Sequence, residues 1–479
     1  IIAIIRSLLT RFCFLTCSHQ FFALNTFFRS QMTYQGSKST IPKAKVPLDI
    51  IIVGGGLGGV TASIALKLAG HNVTLLEQAE QLGEVGAGIQ IPPASTRILH
   101  TIGAYEYVLE KSMIPNNVRV FRWQNGLQLS SQNLVPTTQN EYQLDYSHIH
   151  RSDYHSALVK RANEVGVDFK LGSRVSEIDF ELSSVFCANG NVYRGDVVIG
   201  YDGIKSFMRS AILKRSDPPY NTGDMAFRAL VDIEKIKGNP ELQKLFAEPN
   251  INFWWGPDCH IVIYLLHGGK TINIVILCPD NLPEGVSIMD SSKEELKQMF
   301  KDWDPNLLTL FDLIHETKKW KLQNSRELPT WTHETGNVII LGDASHATLP
   351  YLASGASQAL EDAAVVSGLL ARIEKKSQIH DLLKITEKLR KWRSTQIVQG
   401  STKCRDIFHL PDGEAQTRRD AELTEGLPQL GCPNRWADKK FRDFLFDYDA
   451  FAEAERGWNE YNQGSAPTYF VDQLYKSAL

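Results

Sequence analysis

Residues 48–77 read Leu-Asp-Ile-Ile-Ile-Val-Gly-Gly-Gly-Leu-Gly-Gly, then an apolar run with helical spacing, then Val73-Thr-Leu-Leu-Glu77. No other stretch restricts the fold as much. Ile50 to Val53 is short, continuous and β-branched, which predicts a parallel strand buried on both faces. Gly54, Gly56 and Gly59 supply G-x-G-x-x-G directly after it. Gly54 permits a tight turn, Gly56 lets the backbone approach a pyrophosphate, and Gly59 lets helix and strand pack closely. Val60 to Ala69 has helical spacing and Gly70 can end the helix, whose N-terminus offers free N–H groups to an anion. Val73 to Leu76 predicts a second buried strand, and Glu77 can accept a hydrogen bond from a ribose hydroxyl. The glycine pattern alone is also compatible with an ordinary βαβ crossover. The complete strand–turn–helix–strand–Glu unit predicts dinucleotide binding, without distinguishing FAD from NAD.

The chain has 479 residues, 43% hydrophobic and 22% charged, enough for two or three domains or two intertwined ones. A net charge of −3 gives no basic surface for nucleic acid. Seven scattered cysteines form no C-x-x-C pair and no zinc spacing, so no metal is expected, and a reduced, cytoplasmic setting fits. The first 31 residues start with Ile, carry Arg6, Arg11 and Arg29, and hold no acid. They read either as sequence upstream of a true start at Met32, the preferred reading, or as a mitochondrial presequence. Their apolar runs are broken by arginine and too short to span a membrane. Residues 1–47 are expected to form a disordered or partly non-native tail, with Thr33 to Pro47 a polar lead-in.

Further along, Pro92 to Leu99 begins a helix that Ser95 can cap, and a helix after His150-Arg151 can be capped by Ser152 or Asp153. Asn117 to Leu129 alternates like a hairpin turned at Asn125-Gly126. Val167 to Leu171, Ser184 to Ala188 and Val192 to Gly200 read as strands. From Asp217 the texture changes: Met225 to Ile233, Ile251 to Trp255, His260 to Leu266 and Thr271 to Leu277 are β-rich and separated by turn signals. They predict an antiparallel sheet. Val338 to Leu341 is again a buried strand. The fold expected is therefore α/β. A Rossmann-type domain occupies 48–216 and returns at 336–375, a substrate-binding β-sheet domain is inserted at 217–335, and 376–479 is helical.

Three loops follow buried strands: the glycine turn, Asp202-Gly203 and Gly342-Asp343. In an open parallel sheet ligands bind beyond the carboxyl ends of the strands, so the three can meet one cofactor, although an Asp there also serves simply to cap a turn. The motifs are Gly54-Gly-Gly-Leu-Gly-Gly59, Asp202-Gly-Ile-Lys-Ser-Phe-Met-Arg209 and Gly342-Asp-Ala-Ser-His-Ala-Thr-Leu-Pro-Tyr-Leu-Ala-Ser-Gly-Ala-Ser-Gln-Ala-Leu-Glu-Asp362. On these the chain resembles the single-component FAD-dependent aromatic hydroxylases, the para-hydroxybenzoate and salicylate hydroxylase class, and most of all their fungal salicylate-hydroxylase-like branch. The resemblance runs from Leu48 to the low 400s.

It implies tightly bound, non-covalent FAD and NAD(P)H as a transient co-substrate. Glu77 would bind the adenosine ribose, and Arg151 and Gln90 would lie near the pyrophosphate and ribityl chain. Asp343 would accept from ribityl or ribose hydroxyls, and Asp202 with Gly203 would serve FAD and NAD(P)H. Gly355 and Ala356 would direct a helix N-terminus at the flavin pyrimidine ring, stabilising negative charge there. Pro350 would pack beside the reacting face, and His346 is expected to be a packed structural histidine. In the inserted sheet, Arg228 and Tyr264 would anchor the substrate's oxygens, although Leu265 stands where the family has a proline. Arg228 has the alternative of a surface ion pair and Tyr264 that of a core residue. Trp254 and Trp255 fit an aromatic pocket or the core.

The activity so implied is hydroxylation of a small phenolic or salicylate-like ring with NAD(P)H and O2 through a flavin C4a-hydroperoxide. Epoxidation or indole oxidation on the same scaffold is the alternative, and a non-catalytic FAD-binding protein the rival outside enzymology. The charged helices from Lys439 to Glu460 are expected to present a solvated face, with homodimerisation through it left open.

Overall fold

In a computed structural model, residues 40–83, 86–425 and 430–465 are described. The expectations for residues 1–39, including the Met32 start and the presequence, lie outside them, as do Glu84 and Val85 of the glycine-rich loop.

β1 (Asp49–Val53) buries every residue after Asp49, as its unbroken apolar run requires. The chain turns at the glycines into α1 (Leu57–Leu68) and returns as β2 (Asn72–Leu76), parallel to β1 with Ile50 opposite Val73. α1 starts three residues before the expected Val60, because Gly58 and Gly59 are already helical. On the other side of β1 lies β3 (Val197–Gly200), followed by β4 (Val338–Ile340). Asp168–Lys170 completes a five-stranded, wholly parallel sheet on the outer edge of β2. β1 thus sits in the middle, and the β1, β3 and β4 ends open on one edge. The expected strand Val192 to Gly200 is two: Val192–Arg194 pairs in a separate three-stranded sheet, and β3 enters the parallel one.

The second sheet has eight strands, ordered Ile288–Ser291, Thr317–Asn324, Tyr220–Asp232, Thr271–Pro279, Cys259–Leu266, Asn250–Gly256, Asn117–Arg122 and Gln128–Asn133. The expected antiparallel sheet within 217–335 is therefore mixed and larger. The Asn125-Gly126 hairpin, from the first segment, adds to it, with Asn117–Arg122 parallel to Asn250–Gly256. Packing explains the recruitment: Val118 and Val120 are fully buried, and Phe121 stacks on Trp254 with centroids 4.8 Å apart.

Local expectations change in three places. The helix Pro93–Ile102 has no side-chain cap, and Ser95 bonds instead to Ser357 at 2.7 Å. His150, not Ser152 or Asp153, caps the helix Arg151–Glu164, its Nδ1 accepting from the Ser152 amide at 3.3 Å. Thr40 to Pro47 is not a loose lead-in: Ile41, Ala44 and Val46 pack on the core, and the Ala44 amide bonds to Ala69 O at 2.9 Å.

α2 (Gly355–Leu370) is buried from Ser357 to its end and packs against α1 and the helix Ala450–Asn462. Its acids meet α3 (Ile379–Phe408): Arg393 grips Glu361 through two nitrogens at 2.8 and 2.9 Å, and Arg390 Nε lies 2.7 Å from Asp362. The last helices do more than face solvent. Phe441, Phe444 and Phe446, and then Phe451 and Trp458, are buried, one apolar face per helix. Among the described residues no helix is long and apolar enough to cross a membrane.

Candidate active site

The glycine turn after β1 is held by its backbone neighbours. Gly54 has φ +111°, and a Cβ there would stand 2.3 Å from Tyr201 O. A Cβ on Gly59 would stand 2.0 Å from Gly54 O. Glu77 closes β2 and accepts from the amides of Gly55 and Ala79, both at 2.8 Å. On the opposite side the His155 ring donates to Gly55 O at 2.6 Å. With no side chain capping α1, its N-terminal amides are available to an anion.

Two cavities meet at this turn. One of about 470 Å³ is lined by Glu77, Ala79, His155, Arg174, Asp202 and Lys205. Asp202 is half-buried and already bonded: Ser206 Oγ lies 2.5 Å from one oxygen, and the Met208 amide donates to the other at 2.9 Å. Burial raises its pKa, and those hydrogen bonds oppose the rise. Its carboxylate organises the start of the helix Phe207–Leu213 while lining the cavity, so the capping alternative applies to it as well.

The other cavity, of about 310 Å³, shares Gly56, Tyr201 and Gly203 with the first. It brings together Gln90, Arg151, Arg228, Tyr264, Asp343 and Pro350, with Gly355 and Ala356 at the α2 N-terminus. Those expected positions come from five separate chain segments. Arg151 opens its helix and bonds through its amide to Ala87 O at 3.1 Å, so it is a half-buried wall residue rather than a surface arginine. The side-chain oxygen of Gln90 accepts from the Tyr146 hydroxyl. Asp343 sits exposed at the rim. Its loop is pinned from behind, since Asp362 accepts from the Gly342 amide at 2.8 Å and meets His346 Nε2 at 2.6 Å. His346 is buried against Trp331, the structural role expected of it.

Arg228 and Tyr264 stand on strands that both pair with Thr271–Pro279, opposite Val275 and Asn273 respectively. The guanidinium lies 5.7 Å from the Trp320 ring, and its Nε is buried without a hydrogen-bond partner. Burial lowers the Arg228 pKa and Tyr264 opposes the change. Burial raises that of Tyr264, with Arg228 opposing. The loop before Gln90 passes beneath Tyr264 so closely that a Cβ on Gly88 would lie 2.5 Å from the phenol oxygen. The Gly88 amide bonds to Asn273 Oδ1 at 2.9 Å, which seats this loop on the second sheet.

Neither tryptophan of the pair lines the cavity. Trp254 is core, its Nε1 donating to Asp304 at 2.9 Å, and Trp255 stacks on Phe408 at 4.2 Å. Phe253 lines it instead. Three further wall residues escaped the sequence reading: His260, Tyr351 and Trp436. His260 carried a usable signal, lying four residues before Tyr264 on one strand and hence on the same face. Its Nδ1 pairs with His409 Nε2 at 2.8 Å. Trp436 comes from the C-terminal region and had no local signal. Outside the cavity lining, His150, Asp153 and His267 form a metal-type cluster. Its groups are satisfied by one another and by Ser152 and Thr271, with His267 Nε2 3.2 Å from Asp153.

A family model described as an FAD binding domain matches residues 47–401. The chain belongs to this FAD-binding family. The flavoprotein is 38% identical over 413 residues to the FAD-dependent monooxygenase OpS4 of Beauveria bassiana (strain ARSEF 2860), covering 85% of this chain and 97% of that one. It is 32% identical over 379 residues to the 3-hydroxybenzoate 6-hydroxylase of Polaromonas naphthalenivorans (strain CJ2), covering 78% and 91%. Its fold matches a salicylate hydroxylase solved as a substrate complex, with TM-score 0.72, 23% identity and coverage of 89% and 100%. The flavoprotein is thus an FAD-dependent monooxygenase of the aromatic-hydroxylase type. The residues present suit the cofactor: a glycine cradle that Cβ atoms would fill, an uncapped helix N-terminus above it, and two adjoining cavities for its two ends.

Proposed function

We propose that this monooxygenase uses NAD(P)H and O2 to hydroxylate a small phenolic or salicylate-like ring. The observation that carries the reading is the convergence of Arg228, Tyr264 and His260 on the cavity that adjoins the glycine cradle. Glu77, Asp202 and Gly203 would hold the adenosine half of FAD, and Gln90, Arg151, Asp343, Gly355 and Ala356 the flavin half. When bound, FAD supplies electron transfer from NAD(P)H and activation of O2.

The chain's own residues then position and polarise the substrate. Arg228 brings a cation whose Nε lacks a partner, suited to a phenolate or carboxylate oxygen. Charge on that oxygen makes the ring carbon more nucleophilic. Tyr264, its ring tilted against His148 with centroids 4.6 Å apart, is held in place to hydrogen-bond the same oxygen. His260 has Nδ1 committed to His409, so Nε2 is left to accept the hydroxyl proton, which can pass on through the half-buried His409. Phe253, Val262 and Leu277 give the cavity an apolar wall that excludes water, with Pro350 at the flavin end.

The test is a panel of phenolic acids, phenols, indoles and alkenes added to purified protein, following NAD(P)H oxidation, O2 uptake and product mass. A phenolic acid should stimulate NAD(P)H oxidation and gain one oxygen atom. Stimulation only by indoles or alkenes would replace this reading with the alternative oxygenation.

A further inference from the structure

Behind the cavity wall lies a pair of thiols that the oxygenation chemistry does not use. His260 faces Leu277 across the antiparallel ladder of Cys259–Leu266 and Thr271–Pro279. The next rung outward places Cys259 opposite Cys278, one residue beyond each partner. Side chains alternate along a strand. His260, Val262 and Tyr264 with Val275 and Leu277 face the cavity, so Cys259 and Cys278 share the opposite face with Ile261, Ile263, Ile274 and Ile276. The Cys278 thiol is hydrogen-bonded to that of Cys259, and both are free. Directly opposed residues of an antiparallel pair hold their Cβ atoms about 4.5–5.5 Å apart, close to disulfide reach. The two thiols differ in access: Cys259 is half-buried and Cys278 fully buried.

We propose that Cys259 and Cys278 form a peroxide-sensitive modification site that closes to a cross-strand disulfide. The oxidant is hydrogen peroxide. The Cys259 sulfur, the accessible one, attacks one peroxide oxygen. The O–O bond breaks, and the second oxygen leaves as water with the thiol proton, giving a sulfenic acid at Cys259. Cys278 then attacks that sulfur. The S–O bond breaks, an S–S bond forms, and the Cys278 proton leaves with the departing oxygen as a second water. Two thiols lose two electrons and one peroxide is reduced to two waters. Hydrogen bonding to Cys259 and burial push the Cys278 thiol up, so it stays protonated and acts second. The disulfide joins the open end of the hairpin behind His260 and Leu277, and so staples the cavity wall without entering the cavity. None of this depends on substrate, NAD(P)H or the oxygenation reading.

The experiment treats the FAD-loaded full chain with hydrogen peroxide at one to ten equivalents and maps peptides by mass under non-reducing conditions. The expected product is one cross-linked peptide pair joining Cys259 to Cys278, two hydrogens lighter than its components and reversed by dithiothreitol, while Cys187, Cys404 and Cys432 remain alkylatable. In Cys278→Ser the intermediate should persist and be trapped at Cys259 by dimedone, several-fold more than in wild type. The oxidised wild type should unfold at a higher temperature than the reduced form. The proposal is overturned if both thiols stay alkylatable while other cysteines oxidise. It is equally overturned if wild-type Cys259 proceeds to sulfinic acid beside a free Cys278. The wild-type map decides the matter even if the serine variant does not fold.

Discussion

Asp362, in the third turn of a buried helix, holds the Gly342 amide at 2.8 Å across a gap of twenty residues. The same oxygen meets His346 Nε2 at 2.6 Å, and the other oxygen meets Arg390 Nε at 2.7 Å. The carboxylate therefore fixes the loop that carries Asp343 to the rim of the cavity. Burial pushes its pKa up, but His346 and Arg390 outweigh burial and hold it below the usual carboxylate range. Removing one partner of a buried charge network leaves the others uncompensated. Asp362→Ala should cost about 3–5 kcal/mol of stability. Any folded fraction should retain less FAD. Because the folded pKa is depressed, the stabilisation is full above the unfolded carboxylate pKa and fades as pH falls through the folded one. Thermal melts of wild type against Asp362→Asn from pH 7 downward check both points, and parallel melting curves at every pH would refute them.

Two glycines separate the two ends of the site. In Gly54→Ala the new Cβ would meet Tyr201 O at 2.3 Å on a backbone at φ +111°, so the turn cannot keep its shape and FAD should be lost. In Gly88→Ala the new Cβ would meet the Tyr264 phenol at 2.5 Å. Overpacking of this kind costs about 1–3 kcal/mol. Its expected effect falls on Tyr264: KM for the aromatic substrate rises while bound FAD, read from the visible spectrum, stays near stoichiometric. Equal FAD loss in both variants would show that the Gly88 loop serves the cofactor instead.

Arg228→Ala should spare FAD binding and lower turnover. If the guanidinium stabilises charge developing on the substrate oxygen, the loss is on the order of 10²-fold or more in kcat. Steady-state kinetics with the substrate found in the phenolic panel measure it, and unchanged kcat excludes the role.

His409→Gln keeps a polar group beside His260 but cannot relay a proton. Burial lowers the pKa of both histidines, that of His409 to about 3, so each is a neutral acceptor at pH 7. The surroundings that bear on them are the Arg405 guanidinium, the Tyr351 phenol that donates to Asp224 at 2.7 Å, and the buried rings of Phe253 and Phe408. The variant should lose on the order of tenfold or more in kcat with phenolic substrates and recover rate with added imidazole. A loss without imidazole recovery would mean that His409 only packs.

His71 reports acid sensitivity far from the cavity. Its Nδ1 accepts from the Leu48 amide at 3.1 Å, ahead of β1, and burial lowers its pKa from 6.5 to about 4. A depressed folded pKa means that its stabilisation holds above about 6.5 and is lost as pH falls toward about 4. His71→Gln should flatten that part of the melting-temperature profile, and an unchanged slope would rule the residue out.

What local chemistry can specify was legible in advance. A β-branched run, three spaced glycines and a closing Glu77 bury or turn the chain by themselves, so β1, α1 and β2 were readable within a few residues. The acids after β3 and β4 were equally visible, because strand ends mark where a parallel sheet opens. Arg228 and Tyr264 were found through resemblance, and the alternation that puts them on one face was present in the sequence as well. It also offered His260, which was passed over.

Only the tertiary structure decided which distant segments meet. The hairpin at Asn125-Gly126 joined the eight-stranded sheet because Phe121 had a Trp254 to cover. Trp436 reached the cavity, His409 reached His260, and Cys259 faced Cys278 across a ladder. Hydrophobic periodicity states that a face will be buried and leaves open what will bury it. The partner is selected by shape and by satisfied hydrogen bonds summed over the whole fold, a quantity that no local window of sequence contains.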